Sequence, residues 1–60
     1  MPESTKAIME SMVHVAVSQN YGQWWYDRMF NHLVSQYGEN GGTIFNETVS
    51  RKKSEIWQVK

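Results

Sequence analysis

The chain has 60 residues and a mass of 7.1 kDa, room for a single small domain (residues 1–60) and too little for a multidomain enzyme, a doubly wound sheet or a barrel. It has no cysteine, which removes disulfides and thiolate zinc sites and leaves aromatic packing or a partner subunit to supplement a core worth only about 3–5 kcal/mol. Six basic side chains balance six acidic ones, so no net field draws the chain onto nucleic acid or an anionic membrane.

Two breaks divide the chain into three segments. One is Gln19-Asn20-Tyr21-Gly22; the other is Gly38-Glu39-Asn40-Gly41-Gly42, which holds three of the four glycines. The first segment, about 5–18, reads as a helix with Ser4 or Thr5 as its N-cap. At 100° per residue its apolar side chains Ile8, Met9, Met12, Val13, Val15, Ala16 and Val17 spread over roughly 200°, leaving Lys6, Glu10 and His14 on the polar side. An arc that wide calls for cover from more than one neighbour. The competing reading, a short strand through Val13-His14-Val15-Ala16-Val17, accounts less well for the helix formers between Lys6 and Met12.

The second segment, Gln23 to Tyr37, is the clearest element. Tyr26, Met29, Phe30, Leu33 and Tyr37 fall at i, i+3, i+4, i+7 and i+11, one stripe down a helix, and Gly38 stands where a C-cap belongs.

The third segment has two readings. As a β-hairpin, Thr43 to Val49 and Glu55 to Lys60 are strands rich in β-branched and aromatic residues, joined by the polar turn Ser50-Arg51-Lys52-Lys53-Ser54. As a helix, Val49, Lys53, Ile56, Trp57 and Lys60 keep helical spacing and Asn46 caps the start. The hairpin is preferred. The expected fold is therefore α+β, with helices at about 5–18 and 23–37 packed on a hairpin of about 43–49 and 55–60; a three-helix bundle is the alternative.

Groups for catalysis are sparse. There is no cysteine nucleophile and no phosphate loop, since Gly41-Gly42 precedes its predicted strand instead of following one. Glu10 and His14, four apart, have a spacing that can bring two ligands to a metal, but His32 with Asp27 or Glu39 would have to join them, and a hydrogen-bonded surface pair is the simpler reading. The expectation is a non-enzyme with no cofactor and no metal.

Two features point to partners. Trp24-Trp25-Tyr26 cannot all be buried by one helix face: Tyr26 points inward, Trp25 lies at the margin, and Trp24 lies about 165° from the stripe, on the side of Arg28. Trp24, Trp25 and Arg28 are accordingly the candidate partner-binding residues, an aromatic anchor of the kind enriched at binding hot spots; the competing reading is that Trp24 folds back over the first segment through the Tyr21-Gly22 corner and is core. The other feature is basic. Residues 1–42 carry a net charge of −2 and residues 43–60 a net of +2, so Arg51, Lys52, Lys53 and Lys60 on the hairpin are the candidate contacts for the alternative partner, nucleic acid. In the helical alternative Val49-Ser50-Arg51 resembles the opening of some helix-turn-helix recognition helices, with Ser54 where that family keeps an apolar core residue.

The leading expectation is a small regulator or inhibitor that covers a surface on a protein partner and forms a homo-oligomer, a role common among short chains, including those of phages and mobile elements. A small dimeric nucleic-acid-binding regulator is the second. No apolar run reaches the ~20 residues of a membrane span and no secretory signal is apparent, so a cytoplasmic address and no membrane partner are expected.

Overall fold

Thr43 to Ile56, expected to double back as a hairpin, instead continues a helix that begins at Glu39. In the computed structural model the described residues, 1–57, form α1 (Glu3–Ser18), α2 (Gln23–Tyr37) and α3 (Glu39–Ile56) and no strand. The α+β expectation is thereby overturned in favour of three helices. Gln58, Val59 and Lys60, assigned to the second strand, lie outside the described residues.

The physical reason lies in the glycines. Of the three glycines in the second break only Gly38 interrupts the helices, with φ of 76° and ψ of −161°, a conformation open essentially to glycine alone; its N–H closes α2 on the Val34 carbonyl and its own carbonyl accepts from the Gly41 N–H in the first turn of α3. Gly41 and Gly42 are already inside α3 and buried against α2. A Cβ on Gly41 would stand 2.6 Å from the Leu33 carbonyl oxygen, and one on Gly42 would stand 2.7 Å from both Phe30 Cε1 and Val34 Cγ2. These glycines let two helix backbones meet; they do not make a loop.

The supposed polar turn is helix surface. Arg51 and Lys52 approach Glu55 at i, i+4 and i, i+3 spacing, at 3.9 and 3.6 Å. Thr48, whose branching suggested a strand, is buried and satisfies its hydroxyl by donating to the Ile44 carbonyl one turn back, at 2.8 Å.

Sequence and structure agree closely at the other elements. The stripe of α2 faces inward as predicted, with Leu33 buried and Tyr26, Met29, Phe30 and Tyr37 half-buried. The break after α1 is a Schellman stop: Asn20 takes a positive φ of 57°, its N–H reaches the Val17 carbonyl, and the Tyr21 N–H reaches that of Ala16. At its other end α1 starts earlier than expected, with Pro2 and not Ser4 or Thr5 at the N-cap position and no side-chain cap.

α3 is the hub. It packs against α1 and α2, whereas no backbone positions of α1 and α2 come within 8 Å of each other. Contacts at matching heights make α1 and α3 parallel: Glu10 meets Arg51 at 3.1 Å, and the Trp57 indole N–H donates to the Val17 carbonyl at 3.1 Å where both helices end. Met9, Val13 and Val17 of α1, Leu33 of α2 and Phe45 of α3 form the core between them. Burying each of these adds about 1.5–3 kcal/mol, a large share of what so short a chain can gather.

Candidate functional site

Because α3 covers only one side of α1, the wide apolar arc is divided. Met9, Val13, Ala16 and Val17 go inward, while Ile8, Met12 and Val15, at i, i+4 and i+7, form a second stripe that remains 62%, 40% and 48% exposed. The open side between α1 and α2 deepens beside this stripe into a shallow groove of about 300 Å3, lined by Ser11, Met12, Val15, Tyr21 and Trp25. Sequence reasoning recognised that the arc needed further cover but did not single out Ile8, Met12, Val15 or Tyr21 as site residues.

The predicted anchor residues part company in the structure. Trp25 turns into the groove wall, edge-on to Tyr21 and to Tyr26 at centroid distances of 5.7 and 5.2 Å and tilted against Phe45 at 6.2 Å. It is half-buried and belongs as much to the core as to the surface. Trp24 points the other way. It is 66% exposed on the outer side of α2, one turn from the exposed Arg28, and its indole Cδ1 lies 3.0 Å from where a Gly22 Cβ would be. It does not fold back over α1, and it leaves a large apolar surface in water.

The basic residues are placed along α3, where each described one faces a partner within the chain. The Arg51 guanidinium meets Glu10 of α1 as well as Glu55, the Lys52 ammonium meets Glu55, and the Lys53 ammonium stands 5.3 Å from the centroid of the Tyr26 ring. Burial pushes the Tyr26 hydroxyl above its ordinary value, so the ring under Lys53 is neutral at physiological pH. The exposed ion pairs are each worth under about 1 kcal/mol. They nonetheless orient Arg51 and Lys52 toward carboxylates. Lys60 lies outside the described residues. Val49-Ser50-Arg51, which resembled the opening of a recognition helix, falls deep inside α3 and opens nothing.

Glu10 pairs with Arg51 of α3, while His14 and His32 are exposed. Among the described residues no group of three His, Asp or Glu side chains is placed to hold a metal ion, and no helix is long and apolar enough to cross a membrane. No family model, curated protein or solved structure matches the chain.

Proposed function

We propose that this chain is a non-enzymatic protein-interaction module, a small cytoplasmic regulator or inhibitor that binds a protein partner through the aromatic surface at the start of α2. The observation that carries this reading is the exposure of Trp24 beside Arg28: a chain this short gains more from a buried indole than from almost any other side chain, and whereas the half-exposed Trp57 still ties its N–H to the Val17 carbonyl, Trp24 stays 66% exposed outside the core. Tryptophan and arginine are the residues most enriched where partner binding energy concentrates. Trp25, gripped by Tyr21, Tyr26 and Phe45, stiffens the helix turn that presents Trp24, which lowers the ordering cost of docking.

A photoreactive residue at the exposed position 31, on the same side of α2 as Trp24 and Arg28, in the full chain expressed in its native host, is expected to yield a discrete protein adduct that Trp24→Ala abolishes. That adduct is expected to be competed by the unmodified chain and absent when the photoreactive residue stands at exposed Glu47 on α3. Equal or no adduct from the two positions would defeat the reading.

A nucleic-acid partner, the second expectation from sequence, loses the hairpin tip on which it depended. For phosphates to engage Arg51, Lys52 and Lys53, they would have to displace Glu10, Glu55 and the Tyr26 ring. The full chain is therefore expected to leave the mobility of a short DNA duplex unchanged at physiological salt. A shift that disappears on raising the salt would restore the nucleic-acid reading.

A further inference from the structure

We propose that the outer stripe of α1 is a self-association surface, and that two copies pair through antiparallel α1 helices about a two-fold axis. Three observations select a second copy as the occupant. The first is the absence of charge. Ile8, Met12 and Val15 are bordered by Ser4, Thr5 and Ser11, while Glu3, Lys6 and Glu10 project from other sides of the helix. Two such faces meet without stranding a charge, and a strongly acidic or basic partner would gain nothing here.

The second observation is shape. Along one edge of the stripe, with Met12 flanking it, apolar and small residues alternate as Ser4, Ile8, Ser11, Val15 and Ser18, at the four-and-three spacing of a coiled-coil seam. In one antiparallel register Ile8 of each copy lies over Ser11 of the other, and Val15 of each lies over Ser4 of the other. Both large residues of this row then meet a small one, and Met12 lies beside the seam. The surface supplies its own knobs and holes, which an isologous two-fold contact requires. The same register lays the first turn of the second copy along the groove bordered by Val15, Tyr21 and Trp25.

The third observation is area. Ile8, Met12, Val15 and Tyr21 are each 40–62% exposed, and pairing two such faces with their serine borders buries at most on the order of 1,000 Å2 in total, at the lower edge of specific interfaces. The dimer is accordingly a weak one, in exchange with monomer. Trp24, on the far side of α2, takes no part in this contact, so self-association and partner binding succeed or fail separately.

Sedimentation equilibrium of the full chain, from about 10 μM to about 1 mM, is expected to show a mass rising from 7.1 kDa toward twice that value. Val15→Glu and, independently, Ile8→Glu should weaken association about 100-fold or more with helix content unchanged by circular dichroism, and Trp24→Ala should leave it unchanged. For the register, the double variant Ser4→Cys with Val15→Cys should form a covalent dimer under a mild oxidant. The two positions are more than two helix turns apart within one chain and cannot bridge intramolecularly. A mass of 7.1 kDa throughout, a dimer that survives both glutamate variants, or a cysteine pair that stays reduced would each overturn the proposal.

Discussion

Phe45→Ala is expected to leave most of the chain unfolded at 25 °C, whereas Trp24→Ala should barely move the melting curve. Phe45 is 1% exposed and joins the hub helix to Trp25 and to the core residues of both neighbours. Truncating a buried phenylalanine to alanine costs about 3–5 kcal/mol, because the lost transfer energy is compounded by a cavity that surrounding side chains fill only in part. A chain of this length commands about 3–5 kcal/mol altogether, so the substitution consumes the whole margin. Trp24 has no comparable hold: with two-thirds of its surface in water, its loss falls within the roughly 0.5 kcal/mol typical of surface positions. Urea or thermal unfolding followed by far-ultraviolet circular dichroism distinguishes the two. If Trp24→Ala unfolded the chain, Trp24 would be a core residue and the anchor assigned to it under the proposed function would be withdrawn.

The contrast between these aromatics shows where local pattern is informative. α2 announces itself because Tyr26, Met29, Phe30, Leu33 and Tyr37 spell its buried face in apolar letters; helical geometry puts Trp24 opposite that face, but whether it folds back over α1 is decided only by the tertiary structure, which leaves it exposed. α3 is as long and as well packed, yet its inward face reads Gly41, Gly42, Ile44, Phe45, Thr48, Val49, Lys52 and Ile56. Two glycines, a threonine and a lysine carry no hydrophobic signal. Phe45 and Val49, four residues apart, satisfy a two-residue period as well as a helical one. Without its glycines α3 would be an ordinary amphipathic helix; with them its first turn imitates a loop.

For the site, the excess of apolar surface on α1 is visible in the sequence, but the choice of which part goes inward is not. That choice belongs to α3, which covers Met9, Val13 and Val17 and leaves Ile8, Met12 and Val15 outside. Likewise nothing near Arg51 in sequence indicates that Glu10, forty-one positions earlier, will face it.

Gly41→Ala is expected to lower stability by about 2 kcal/mol, although in an open helix the same change raises it by about 1 kcal/mol. The sign is decided by what the methyl group meets. At Gly41 it would stand 2.6 Å from the Leu33 carbonyl oxygen and 3.0 Å from Tyr37 Cβ, both fixed to the α2 backbone, so no rotamer change relieves the contact and α2 and α3 must separate. Separation loosens Leu33 against Phe45 as well, which spreads the cost through the core. At Gly42 the neighbours are the Phe30 ring and a Val34 methyl, side-chain atoms that can give way, and Gly42→Ala should cost about half as much. Asn40→Ala, at an exposed position one residue before the pair, provides the control and should stabilise by a few tenths of a kcal/mol through helix propensity alone. Since each kcal/mol moves the Tm of a domain this size by about 4–8 °C, the three variants should melt in the order Asn40→Ala, Gly42→Ala, Gly41→Ala from highest to lowest. Were Gly41→Ala instead to melt above the parent chain, the glycines would be acting only as weak helix formers, and the close approach of α2 and α3 would lose its claim to hold the fold together.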